Sequence, residues 1–202
     1  MTSSDSRSPA SLEKIKHAFL ELIREEPLET ITVRAVCTKA GISRALFYTY
    51  FESKYELLET IEQELISGFT DLMLDIRNKG VGEFRSSMKR KDSKYFIRYF
   101  EYIKAHQFEF KCLLCSKHPN GFSIRLSRAI MKTRLETTSR WDYDPLQTTQ
   151  GRYREEILSA IYVSMFTTWL NNELNCSEDA LSRLLLDLWR TLSSFGFREM
   201  DK

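Results

Sequence analysis

Residues 38–54 read TKAGISRALFYTYFESK, and this stretch decides the fold. Just ahead of it, Val33, Val36, Cys37 and Ala40 fall at helical spacing, which predicts a short helix over 33–40 with one buried side. Thr32 is placed to cap that helix, and Gly41 stands where a left-handed residue is wanted at its end. Ser43 can then cap a further helix almost at once. Ile42 before that cap and Phe47 four positions after it are spaced as a hydrophobic staple. Two helices joined by so short a glycine turn predict a helix-turn-helix. Phe47 and Phe51 share a face and, with Ile42, anchor the second helix, leaving Arg44, Ala45, Leu46, Tyr48, Thr49 and Tyr50 partly or wholly outward.

Those outward residues have a common chemistry. Arginine pairs with guanine edges or with phosphate, threonine and leucine meet a thymine methyl, and tyrosine hydroxyls donate to phosphate. Ala45 is small enough to let a backbone approach a groove floor. Thr32 and Lys54 lie at two helix N-termini, where free N–H groups and the helix dipole favour anions. Between Thr32 and Lys54, four cations (Arg34, Lys39, Arg44, Lys54) stand against Glu52 alone. The preceding segment, with Glu21, Glu25, Glu26 and Glu29, is acidic. Positive charge is therefore local, although the whole chain carries a net charge of only +2.

Outward from this stretch, residues 1–7 are polar and Ser-rich and read as a disordered tail. Ser8-Pro9 starts a first helix that Pro27 ends. Ser53-Lys54-Tyr55-Glu56 fits a capping box, and an apolar stripe from Leu57 to Ile76 carries a long helix to the Asn78-Lys79-Gly80 break. Further helices are expected over 94–108, near 110–116, over 122–140, 152–173 and 178–195, with 141–151 as a loop. The expected fold is all-α with about nine helices. Its domains are a helix-turn-helix domain (8–52), a connecting helix (53–78) and a ligand-binding and dimerisation domain (79–202).

The chain has 202 residues, 42% hydrophobic and 29% charged, with only 7 Gly and 4 Pro. That composition favours long helices over a turn-rich β fold. No stretch reaches the length of a membrane span and no signal peptide opens the chain, so a cytoplasmic protein without a membrane partner is expected. Four cysteines do not make a disulfide scaffold in a chain this long.

The segment ITVRAVCTKAGISRALFYTYFESKYEL (31–57) resembles the helix-turn-helix of the tetracycline-repressor (TetR) family of bacterial regulators. The matching pattern is Thr opening a helix, Ala-Gly and an apolar residue before Ser, a Leu/Phe-Tyr-x-x-Phe run, then Ser-Lys and Leu. The resemblance implies phosphate contacts from Thr32, Tyr48, Tyr50 and Lys54, with Arg34 adding a backbone contact. It implies base or groove contacts from Arg44, Ala45 and Leu46, with Ser43 at the cap and Thr49 on the same face. Ala45 replaces a frequent Gly, Thr49 a frequent aromatic residue and Tyr50 a common His, which leaves the operator sequence open. The resemblance also implies a repressor that binds a pseudo-palindromic double-stranded DNA operator as a homodimer, and is released by a small-molecule effector held between the middle helices.

Candidates for the effector pocket are Tyr95, Phe96, Tyr99, Phe100, Tyr102, Ile103, Phe108, Phe110, Phe122, Met131, Trp141, Tyr162 and Phe166. Tyr99, Phe100, Ile103, Phe122, Tyr162 and Phe166 form the expected set, suited to a hydrophobic or planar ligand. The expected dimer surface lies on the last two helices: Trp169, Leu181, Leu184, Leu185, Leu188, Trp189 and Leu192 exceed what one helix stripe needs.

Three other functions compete with this one. Cys112 and Cys115 with His106 and His118 could be four metal ligands or a redox sensor, but a single CxxC around Leu113-Leu114 also suits buried structural cysteines; no metal and no cofactor are expected. The weak basicity allows a TetR-like co-activator subunit that works through a protein partner. An enzyme is not expected, since the chain has only 3 His, no phosphate loop and no nucleophile–base pairing.

Overall fold

The computed structural model describes residues 8–118, 120–141 and 144–200, with the side chains of residue 76 and residues 193–200 left aside. The expected disordered tail, 1–7, lies outside the described residues. The described chain is helical throughout: α1 (Pro9–Glu25), α2 (Val33–Ala40), α3 (Arg44–Tyr50), α4 (Lys54–Arg90), α5 (Lys94–Ala105), α6 (Gln107–Leu114), α7 (Phe122–Ser139), a 3-10 turn at Pro145–Gln147, α8 (Thr149–Asn171) and α9 (Glu178–Met200). It divides into two compact units. One comprises the described residues up to Leu65 together with Phe108–Phe122, and the other Ile66–Gln107 with Ser123 onward.

In the first unit, local chemistry sets each helix end. Ser8 Oγ accepts from Ser11 N at 3.2 Å, Thr32 Oγ1 from Ala35 N at 3.1 Å, and Ser43 Oγ from Leu46 N at 3.1 Å. Each such cap stabilises its helix by about 1 kcal/mol. Gly41 is left-handed (φ 67°, ψ 35°), and its N–H and that of Ile42 return to the carbonyls of Thr38 and Cys37. This is a Schellman closure, which a side chain at Gly41 would strain. The Ser53 cap on Glu56 N forms as expected, but the Glu56 carboxylate reaches the N–H of Glu52 rather than that of Ser53.

Ile15, Phe19, Phe47, Leu57 and Phe110 fill the centre of this unit with no exposed surface. The segment 108–118 is pinned to α1: Ser116 Oγ donates to Ile23 O at 3.0 Å, and the Phe108 ring stacks on His17 at 4.3 Å. Lys16 also bridges α1 to Glu64 of α4 at 2.6 Å.

The second unit is an aromatic core. Phe69 meets Tyr99 at 5.1 Å and Phe166 at 5.3 Å, Phe100 meets Trp169 at 5.6 Å, and Phe84 meets Trp189 edge-on at 4.9 Å. Such tilted and edge-on pairs suit the charge distribution of the rings. α4 enters both units along the chain and is broken at Gly80, whose φ of 79° is open to glycine and strained for other residues. The break falls at the end of the stripe that the sequence indicates. α8 starts at Thr149, earlier than its pattern suggests, because Thr148 caps it on Gly151 N at 3.0 Å.

Candidate nucleic-acid interface and ligand hollow

The short helix α3 holds its outer residues away from the core by one deeply seated ring. Phe47 is fully buried, whereas Ser43, Arg44, Ala45, Tyr48 and Thr49 are exposed and Leu46 is half-buried. Tyr48 retains 49% of its surface, packed edge-on against Phe47 at 5.5 Å. Thr32 and Arg34 on α2 are exposed as well, and neither Arg34 nor Arg44 is ion-paired among the described residues. Lys39, by contrast, pairs with Glu21 at 3.1 Å.

Two residues expected to meet phosphate turn their polar ends inward. Lys54 Nζ donates to the carbonyls of Leu28, Glu29 and Ile31 at 2.7, 3.0 and 2.7 Å. An ammonium has three donors, so all are in use. The Tyr50 hydroxyl donates to Ser8 O at 3.0 Å, which ties α3 to the start of α1. A phosphate contact from either residue would have to share or displace these bonds. The sequence around Lys54 could not show this, since its partners lie about two dozen residues upstream in a turn.

In the second unit a hollow is lined by Met73, Phe84, Phe96, Tyr99, Arg134, Thr137, Thr138, Trp141, Tyr162 and Trp189. It holds about 410 Å³, counting the part open to solvent. Of the six pocket residues expected from sequence, Tyr99 and Tyr162 line it. Phe100, Ile103 and Phe166 are fully buried core side chains that do not, and Phe122 belongs to the first unit, against Phe110. Phe96 and Trp141, from the wider set of candidates, do line it.

Sequence reasoning missed the polar part of this hollow. Arg134 and Glu155 are both buried, and the Arg134 Nε and Nη2 donate to Glu155 Oε2 at 3.0 and 2.9 Å. Burial disfavours the charged guanidinium, but Glu155 and Tyr162 outweigh that and hold the Arg134 pKa above its ordinary value. A signal was available: Arg134 follows Ile130 by four on α7, and Glu155 precedes Ser159 and Tyr162 on α8. Opposite charges therefore sit on the buried stripes of successive long helices. Tyr99 Oη and Trp141 Nε1 are buried without a hydrogen-bond partner. Complete burial raises the Tyr99 pKa well above its ordinary value, so its hydroxyl stays protonated.

Of the residues expected at a dimer surface, Trp169, Leu185 and Trp189 are buried within the chain's own second unit, while Leu181, Leu188 and Leu192 are half-buried. Leu184 is 50% exposed, and on α8 Ile157 and Tyr153 are also exposed. Ile157, Ser164 and Thr168 lie exposed on the outer face of α8. Its core face runs through Glu155, Leu158, Tyr162, Phe166 and Trp169. Among the described residues no group of three or more His, Cys, Asp or Glu is placed to hold a metal ion. Burial pushes the Cys112 thiol up to about 11, which favours the neutral thiol. No helix among the described residues is long and apolar enough to cross a membrane.

Comparison with known proteins agrees with this geometry. The chain is 29% identical over 68 residues to the HTH-type transcriptional regulator YxbF of Bacillus subtilis, covering 33% of this chain and 18% of that protein. It is 36% identical over 59 residues to YvdT of the same organism, covering 29% of this chain and 30% of that one. The aligned part thus spans less than a third of either relative. In fold, a tetR-family transcriptional regulator from Streptomyces coelicolor superimposes with a TM-score of 0.61 at 20% identity, covering 92% of this chain and 83% of that one. Residues 15–61, which hold the two capped helices and their glycine turn, match the family of bacterial regulatory proteins named for tetR. Residues 15–61 therefore carry the N-terminal helix-turn-helix that marks bacterial regulatory proteins of the tetR family, set in a fold similar to that of such regulators.

Proposed function

We propose that the chain is a repressor that binds a pseudo-palindromic DNA operator as a homodimer and lets go when a small molecule occupies the hollow of its second unit. The observation that carries the DNA reading is the face of α3. Phe47 is sunk into the core while Arg44, Ala45, Tyr48 and Thr49 stand exposed around it. On this reading Arg44, Ala45, Leu46 and Thr49 face base edges, while Thr32, Arg34, Ser43 and Tyr48 meet the phosphate backbone. Tyr50 and Lys54 act chiefly by holding the frame through Ser8 and the 28–31 carbonyls.

Exposed Tyr153, Ile157 and Leu184, with the half-buried Leu181 and Leu188, supply apolar surface on α8 and α9 for a partner copy. A dimer reads two half-sites about one helical turn apart, so a change in the separation of the heads abolishes simultaneous contact. The hollow takes part of its wall from α4 on both sides of the Gly80 break, at Met73 and Phe84. The first turns of α4, through Leu57, Leu58 and Ile61, are buried in the first unit. A ligand that favours one position of α4 would shift the population of head separations.

Selection from a random DNA pool should enrich a two-fold symmetric sequence, and binding to it should weaken steeply as salt rises. Arg44→Ala should lose about 1–3 kcal/mol of specific binding and relax base preference at one position of each half-site. A flat salt response, or a pool that stays random, would instead favour a subunit that acts through a protein partner.

A further inference from the structure

Resting on the reading of the hollow as the effector site, the geometry points to the class of molecule that fits there: an uncharged, flat, largely apolar compound bearing a hydrogen-bond acceptor. We infer that its ring lies among Phe84, Phe96, Trp141 and Trp189, and that its acceptor takes the buried donors of Trp141 and Tyr99.

Three observations converge. The first is charge. Arg134 is the cation of the hollow, and it is already engaged twice by Glu155 at 2.9–3.0 Å. It also stands 5.7 Å over the Trp189 ring. Arg154 lies 3.9 Å from the other oxygen of Glu155 but is not part of the wall. An anionic ligand on Arg134 would have to share it with Glu155, which is 3% exposed, and would bring two negative charges onto one cation in the interior. A cationic ligand would add a second positive charge beside Arg134 with no free carboxylate in the wall. Neither charge is offered an uncommitted counter-ion, and a buried charge without one is strongly disfavoured.

The second observation is unmet hydrogen bonding. Tyr99 Oη and Trp141 Nε1 are buried and unpartnered, and both belong to wall residues. The Thr137 and Thr138 hydroxyls already donate to the carbonyls of Thr133 and Leu135 at 2.8 and 3.1 Å. An indole N–H can only donate, so a ligand group that satisfies it must be an acceptor, such as a carbonyl. The third is surface. Besides Arg134 and the two threonines, the wall is rings and one methionine, which suits a largely apolar ligand that can stack on rings.

The experiment compares four probes of one shape on the full-length protein: acetophenone, benzoate, benzamidinium and isopropylbenzene. Trp141 and Trp189 line the hollow, so intrinsic tryptophan fluorescence reports occupancy without DNA, and thermal shift gives a second readout. Acetophenone should bind at least about tenfold more tightly than either charged probe, because neither charge finds a partner. It should also exceed isopropylbenzene about fivefold through its acceptor. Trp141→Phe and Tyr99→Phe should remove that advantage over isopropylbenzene. Should either variant fail to fold, the four-probe ranking on the unmodified protein still decides. Benzoate or benzamidinium binding as tightly as acetophenone overturns the inference on charge, and isopropylbenzene doing so overturns it on the acceptor, with the hollow still a ligand site in both cases. If no probe alters either readout, the effector reading of the hollow itself falls.

Discussion

The two candidate sites of this chain are built in opposite ways. The face of α3 is a surface whose scaffold is locally complete: its cap, its glycine closure and its buried Phe47 all lie within about a dozen residues, and the side chains meant for a partner stand outside. The hollow is an interior whose scaffold is incomplete. It gathers residues from α4, α5, α7, α8 and α9, and leaves Tyr99 Oη and Trp141 Nε1 without partners. A surface site can be fully satisfied before it binds, because water serves its exposed polar groups. A buried site that is to hold a ligand keeps some of its hydrogen bonding open.

That contrast can be broken most sharply at the buried ion pair. Glu155→Ala leaves Arg134 buried without its carboxylate and should destabilise the fold by about 3–5 kcal/mol, read from urea unfolding. Replacing both residues with apolar ones of similar volume should restore most of that loss. If Glu155→Ala unfolds like the parent, the pair is more hydrated than its burial implies, and the charge argument for the hollow loses its basis.

A middle-sized effect is expected where the surface site does depend on a distant contact. Lys54→Met removes the donor for three carbonyls of the 28–31 turn and should destabilise the fold by about 2 kcal/mol. Lys54→Arg should recover part of it. A variant with parental stability but weakened DNA binding would mean that the ammonium serves phosphate rather than the turn. The smallest effect belongs to the local scaffold itself: Ser43→Ala should cost about 1 kcal/mol by leaving the N–H of Leu46 uncapped. Thermal unfolding would register it, while a larger loss would show that the cap also fixes the path of the turn.

The parts that were legible share a short range. Gly41, Ser43 and Ser53 could be placed from sequence because a cap or a left-handed turn is settled by residues two to five positions away. Leu58, Phe69 and Phe166 could be placed in helices because periodicity repeats along one element. The face that each long helix buries was less legible. On α8 the apolar Ile157 and Tyr153 are exposed, while the core side includes the polar Glu155 and Ser159, which a hydrophobic pattern passes over. Trp169 and Trp189 look like interface residues only if a chain has no internal use for them, and here Phe100 and Phe84 supply it.

The sequence by itself determined the helix-turn-helix, its caps and the outward set around Arg44, because these follow from backbone hydrogen bonding and side-chain spacing within one short segment. Only the tertiary structure decided that 108–122 joins the first unit, that Lys54 grips the 28–31 turn and that Arg134 meets Glu155 beside two unpartnered donors. Those facts depend on which helices lie side by side, and the pairing of distant segments is set by the packing of the whole core rather than by any pattern within one of them.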